Sequence, residues 1–159
     1  MSIKSAETIQ NMTDENVGHV QELIRGLRDS IEYHHEAAEK VEDDNVKQLF
    51  TEIVNERKTI VDTLSGMVAM NDESPVDDGS WLGTMRKCWT TFRAGLNAGD
   101  PTVILIEAER AEDTIMAKFK SVLPKAAGSQ INDVLLQYFE KVKSGHDRVL
   151  ALRNAYQAA

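Results

Sequence analysis

The sequence predicts an all-α protein: a four-helix bundle with an additional crossover helix between the second and third long helices. Three observations lead to this prediction. Apolar residues recur at intervals of three and four along four long stretches, which is the repeat of an amphipathic helix. The 159 residues include only 9 Gly and 3 Pro, so breaks between helices are few. A chain of this length is also the ordinary size of one domain.

The first long helix is predicted at about 14–42. Residues 1–12 before it are polar and aperiodic, and we expect them to form a flexible arm ahead of one bundle domain, 13–157. Thr13 can cap the helix through its side chain. Apolar residues follow at helical spacing: Val20, Leu23, Leu27, Ile31, Ala38 and Val41.

The second long helix is predicted at about 45–70, after the cap-rich break Asp43-Asp44-Asn45. So few residues join the first two helices that they must lie side by side and antiparallel. The apolar stripe of the second helix comprises Val46, Leu49, Phe50, Ile53, Ile60, Leu64 and Met67.

A shorter helix is predicted at about 81–97, after the loop 71–80, which contains Pro, Gly and three Asp. Together with that loop, it can carry the chain from one end of the bundle to the other. The second and third long helices would then be parallel, as in bundles with one long crossover connection. A simple up-and-down array of five helices is the alternative.

The third long helix is predicted at about 101–122, with Asp100 as its N-cap and Pro101 in the first helical position. Pro124 is expected to interrupt it, because proline cannot donate the next helical hydrogen bond. The fourth helix is expected to begin between Pro124 and Ser129 and to end near residue 156.

Charge and composition restrict the possible functions. The net charge of −8 argues against electrostatic binding to nucleic acid or to an anionic membrane. No apolar run approaches the length of a membrane span, and the N-terminus has no apolar core of a secretory signal. A single cysteine, Cys88, excludes an internal disulfide. A cytoplasmic location is therefore expected.

Polar residues interrupt the apolar stripes near the middle of the helices. His34 lies on the stripe of the first helix, Arg57 on the second, Glu112 on the third and His146 on the fourth or one position from it. A buried charge is costly alone and tolerable when paired. We therefore predict an ion pair between Arg57 and Glu112 inside the bundle as a structural polar core, with His34 or His146 nearby.

A metal site is the functional alternative. Di-iron bundles use a Glu from each of two helices and Glu-x-x-His from each of the other two. That motif occurs once, as Glu32 to His35, with Glu32 on the polar face. A smaller site for iron or zinc could use His34, His35, Glu112 and His146. No other cofactor and no catalytic residue is indicated.

Several segments together resemble a known family: Glu36-Ala37-Ala38-Glu39-Lys40-Val41, Asn55-Glu56-Arg57, Glu109-Arg110-Ala111-Glu112-Asp113 and His146-Asp147-Arg148. The chain resembles the ferritin-like, rubrerythrin-related family of uncharacterised bacterial four-helix-bundle proteins, over about 15–156. The resemblance implies a ferritin-like fold and a stress-associated role. It aligns Leu27 with a ligand Glu of metal-binding relatives and leaves the di-iron ligand set incomplete.

We therefore expect a structural or stress-associated bundle rather than an enzyme. It should form a homo-oligomer, with a dimer as the expected form, and bind neither nucleic acid nor membrane. Two other functions stay open. One is a metal-dependent oxidase or peroxide scavenger with its site at the bundle centre. The other is a partner-binding helical module that uses an exposed apolar strip near Trp81.

Overall fold

The computed structural model describes residues 12–71, 73–76 and 100–158, and every regular element in these ranges is an α-helix. The predicted all-α four-helix bundle is confirmed. Each helix has 26 or 27 residues and is about 40 Å long. In chain order they are α1 (Asp14–Lys40), α2 (Asp44–Met70), α3 (Pro101–Ala126) and α4 (Asn132–Ala158).

The helices begin where the sequence places capping side chains. Thr13 accepts a hydrogen bond from the backbone N–H of α1, Asp43 does so for α2, and Asp100 does so for α3. Each cap satisfies a donor that has no partner inside its helix. In α3 the residue after the cap is Pro101, whose missing N–H costs nothing at that position.

The junction between α3 and α4 differs from the prediction. Pro124 does not interrupt α3. It lies in the last turn, so any kink from its missing N–H and its ring would displace only the two residues that follow it in the helix. The helix ends at Ala126 instead, and Gly128 turns the chain with a φ of 81°, which favours glycine. The start of α4 at Asn132 is therefore later than predicted.

Contacts at two levels show that α1 and α2 are antiparallel, as the short connection predicts. Near the start of α1, the backbone N–H of Met12 donates to Asn71 Oδ1 at 2.8 Å. Farther along, Ser30 contacts Arg57 in the middle of α2. Met12 is the one residue of the predicted N-terminal arm that lies within the described residues.

The third helix is also antiparallel to α1. The hydroxyl of Tyr33 donates to the carbonyl of Ile104 at 3.5 Å, whereas the earlier Gly26 lies against Lys118. Since α2 and α3 are both antiparallel to α1, they are parallel to each other. This confirms the predicted parallel direction of the two long helices. A simple up-and-down array of five helices gives the same direction, since its middle helix would run opposite to both.

The parallel arrangement of α2 and α3 requires a long connection between them. Met70 and Pro101 lie at opposite ends of the bundle, so the chain between them must cross its length. The first part of this connection, residues 73–76, contacts α1: the Arg28 guanidinium donates from Nε to the carbonyl of Val76 at 3.0 Å. The predicted crossover helix at 81–97 lies outside the described residues.

The interior consists of two apolar clusters with a polar layer between them. One cluster occupies the end where α1 begins and includes Leu23, Leu64 and Phe119. The other occupies the end where α1 finishes and includes Phe50 and Leu105. Among the described residues, no helix is both long enough and apolar enough to cross a membrane.

Candidate functional site

Four polar side chains lie at the centre of the bundle, and we call them the polar layer: Ser30 and His34 from α1, Arg57 from α2 and Glu112 from α3. His34, Arg57 and Glu112 are 0% exposed, and Ser30 is 4% exposed. Burial of a charge is unfavourable unless the charge is paired and hydrogen-bonded. The contacts within the polar layer therefore decide whether it stabilises the protein.

An ion pair joins α2 and α3 at this level, between the two residues that the stripe positions predict. The Arg57 guanidinium donates from Nη2 to Glu112 Oε2 at 2.6 Å. Its other terminal nitrogen, Nη1, donates to the hydroxyl of Ser30 on α1. One guanidinium thus ties three helices together at a single height of the bundle.

The fourth helix makes room for this guanidinium with a glycine. A Cβ atom on Gly145 of α4 would lie 3.0 Å from Arg57 Nη2, which is closer than side-chain carbons normally pack. A side chain at position 145 would require the Arg57 guanidinium to shift, so the glycine lets the backbone of α4 lie close over the ion pair. Neither Gly145 nor Ser30 is predicted from the sequence, although an isolated glycine inside a helical pattern signals a close backbone approach.

His34 lies beside the ion pair and contacts the backbone carbonyl of Ser30 and the carboxylate of Glu112. Its Nδ1 is 2.7 Å from the backbone carbonyl of Ser30, and its Nε2 is 3.3 Å from Glu112 Oε1. The second contact is not aligned as a hydrogen bond, and neither Nε2 nor Oε1 has another hydrogen-bond partner among the described residues. The rings of Tyr33 and Phe50 meet the imidazole edge-on, with centroids 5.1 and 5.2 Å away.

The polar layer fixes the charge of Glu112. Burial by itself raises the pKa of this carboxyl, but the charge of Arg57 and the contact with His34 outweigh that effect and lower the pKa to about 2. Burial also raises the pKa of Tyr33, and the charges of Glu107 and Glu112 raise it further. At neutral pH the layer therefore contains a carboxylate that faces a guanidinium, next to an uncharged phenol.

The other candidate ligands lie elsewhere. His35 is 58% exposed, and its Nε2 is 3.8 Å from Glu39 Oε1 on the surface of α1. His146 contacts Asp113 instead of the polar layer, with 2.8 Å between Nε2 and Oδ1. The structure therefore brings together only His34 and Glu112 of the four candidate metal ligands.

The donor atoms at the centre do not fit the di-iron arrangement. A di-iron bundle site has four carboxylates and two histidines, whereas the polar layer provides one of each. Among the residues that the structure describes, no group of three or more His, Cys, Asp or Glu side chains could hold a metal ion. Arg57 also places a positive charge against the carboxylate that would bind the metal.

A comparison with known families finds one match. The model of the family described as "Domain of unknown function (DUF2383)" matches residues 15–125, which cover nearly all of α1, α2 and α3. All four residues of the polar layer fall within the match. The description names neither a ferritin-like nor a rubrerythrin family. No curated protein and no solved structure gave a match.

Proposed function

The chain belongs to the DUF2383 family, and on that premise we propose that it is a ferritin-like bundle of the bacterial cytoplasm with a structural or stress-associated role. In this proposal the protein is not an enzyme, and the polar layer takes the position that a metal centre occupies in di-iron bundles. The sequence resemblance supports the ferritin-like assignment, as does the parallel direction of α2 and α3.

The ion pair between Arg57 and Glu112 is the observation that carries this proposal. Glu112 is the carboxylate at the bundle centre that the resemblance retains, and a guanidinium neutralises it within the chain. A dication bound at the same carboxylate would have to lie close to that guanidinium, with little water to screen the repulsion. In this proposal Arg57 neutralises the buried carboxylate of Glu112, as a metal ion neutralises the carboxylates of a di-iron bundle.

The polar layer also suits a structural role, because it specifies the relative height of the helices. Apolar side chains can shift slightly against one another at little cost. A shift that separates a buried charge from its partner is strongly destabilising. Movement of α2 by one turn would separate Arg57 from Ser30 and Glu112 together. We propose that the layer selects one alignment of α1, α2 and α3.

Metal analysis tests the proposal. The protein is purified without an affinity tag, incubated with iron(II) or zinc, freed of unbound metal by gel filtration and analysed by mass spectrometry for metals. We expect a metal content far below one ion per chain. The Glu112→Gln variant serves as the control, since its metal content should equal that of the wild type.

One observation favours a second candidate function, a site for a single divalent cation. His34 Nε2 and Glu112 Oε1 are buried, have no hydrogen-bond partner in the part of the chain that the structure describes, and lie 3.3 Å apart. Two ligands of one zinc ion, each at about 2.0–2.1 Å, have a similar separation. One ion per chain in the wild type and none in Glu112→Gln would contradict the structural proposal and favour a metal-dependent oxidase or peroxide scavenger.

A further inference from the structure

A groove lies between α2 and α4, at the end of the bundle where α2 begins and α4 finishes. Its volume is about 420 Å³. Its lining comprises Asn45, Gln48, Leu49, Glu52, Arg148, Ala151, Leu152 and Ala155, and we call this set the α2/α4 groove. It lies on the outside of the bundle, beyond the apolar cluster that includes Phe50, and is separate from the polar layer.

The shape of the groove suits a helix. Leu49 is buried and Leu152 is half-buried, so the floor is apolar. Ala151 and Ala155 are exposed and one turn apart on α4, so they form a wall of small side chains. The distance between two packed helices depends on the side chains at their contact, and alanine permits a close approach.

The charge of the groove distinguishes it from the chain as a whole. The chain has a net charge of −8, yet the groove contains one acidic and one basic residue, Glu52 and Arg148. These two side chains form an ion pair with each other and are 45% and 48% exposed. The lining of the groove is therefore neutral, so a second copy of this acidic chain meets no net like charge at the contact itself.

We propose that the α2/α4 groove is the interface of a symmetric homodimer. In a two-fold arrangement the same surface meets itself, so each positive group must find a negative one in the same patch. The groove meets that requirement, because Arg148 of one copy can reach Glu52 of the partner subunit while Arg148 of the partner subunit reaches Glu52. A strongly acidic or basic peptide would leave one of the two charges unmatched.

The α4 helices pack against each other in this dimer. Ala151 and Ala155 of the two copies face one another across the two-fold axis, and the four charged side chains form an alternating ring around the contact. Leu152 loses its remaining exposure to water, which supplies the hydrophobic contribution, whereas Leu49 is already buried. The dimer interface does not involve the polar layer, so this proposal and the proposed function can fail independently.

Sedimentation equilibrium of the full chain tests the interface. We expect a dimer for the wild type and a monomer for Ala151→Arg, because a long charged side chain cannot fit between two α4 helices. The matched control is Ala117→Arg, which makes the same change at an exposed position of α3 outside the groove and should stay dimeric. Circular dichroism checks that both variants keep the helical content of the wild type.

A charge exchange gives a second test that does not depend on Ala151. Glu52→Arg and Arg148→Glu each place like charges across the interface, so each should raise the Kd of the dimer about tenfold or more. The double variant Glu52→Arg, Arg148→Glu restores opposite charges and should return the Kd towards the wild-type value. A wild-type chain that stays monomeric at high concentration would overturn the proposal. So would a dimer whose Kd is unchanged in all groove variants.

Discussion

Two of the arginine–glutamate pairs that connect helices of this bundle lie in opposite environments. Arg57 and Glu112 are fully buried in the polar layer, whereas Arg148 and Glu52 are about half exposed at the rim of the α2/α4 groove. Both pairs are in hydrogen-bond contact. The charged groups are the same in both pairs, and the largest difference between them is exposure to water.

The difference shows what each pair can contribute. At the rim, water can replace a lost partner, and an exposed pair is screened by salt. In the interior no water replaces the partner, so loss of one group leaves a charge buried among apolar side chains. The buried pair therefore controls the stability and alignment of the bundle, whereas the exposed pair is free to serve a contact with another molecule.

Removal of one buried partner has the largest expected effect. Glu112→Ala leaves Arg57 buried without its counter-charge and should lower the free energy of unfolding by about 3–5 kcal/mol. Urea denaturation monitored by circular dichroism measures the loss. Glu52→Ala is the control at the exposed pair and should change stability little. Equal losses in the two variants would remove the distinction between the pairs.

Acid should weaken the buried pair in a defined pH range. The pKa of Glu112 is lowered from its ordinary value of 4.5 to about 2 in the folded protein. Because the folded-state pKa is the lower one, the carboxylate stabilises the fold above pH 4.5, and that contribution disappears as the pH falls towards 2. The shift corresponds to a contribution of about 3 kcal/mol.

The unfolding free energies of the wild type and Glu112→Gln, measured from neutral pH down to the acid range, check this pH dependence. Their difference should be constant near neutral pH and should shrink as the solution becomes acidic. A difference that does not depend on pH would mean that the Glu112 carboxyl is not held in its charged form by the polar layer.

A smaller effect is expected where α4 covers the buried pair. Gly145→Ala adds a methyl group 3.0 Å from Arg57 Nη2, and the resulting overpacking should destabilise the protein by about 1–3 kcal/mol. Gly66→Ala in α2 is the matched control, since a Cβ atom there meets nothing within 4 Å. That control should gain about 0.5–1 kcal/mol from the higher helix propensity of alanine. Thermal or urea unfolding of both variants measures the contrast, and a gain at both positions would show that α4 does not pack closely on Arg57.

The sequence predicts the helices well because their signals are local. Apolar spacing and the caps at Thr13, Asp43 and Asp100 depend only on nearby residues, and they placed three helix starts. The end of α3 was predicted less well. Pro124 signals a break, but the helix runs past it to Ala126, and the chain turns at Gly128, which has a positive φ.

Two residues of the candidate site could be predicted from the sequence, because they interrupt an apolar stripe. Arg57 and Glu112 stand out because a charge on an apolar stripe requires a partner, and the two side chains are in contact. Gly145 lies against Arg57, whereas the next residue along α4, His146, contacts Asp113. Consecutive residues of a helix point about 100° apart. Their positions near the edge of the apolar stripe therefore do not tell which of Gly145 and His146 faces the polar layer. Ser30 carries no such signal, since a small polar residue is tolerated on either face.

The coupling free energy between Arg57 and Glu112 shows whether the bundle centre is held by charge pairing rather than by a metal. It is obtained from the unfolding of the wild type, Arg57→Met, Glu112→Leu and the double variant, all in buffer that contains a metal chelator. We predict that the double variant is far more stable than the sum of the single losses implies, with a coupling above about 2 kcal/mol. Single effects that add to within about 0.5 kcal/mol would contradict the account.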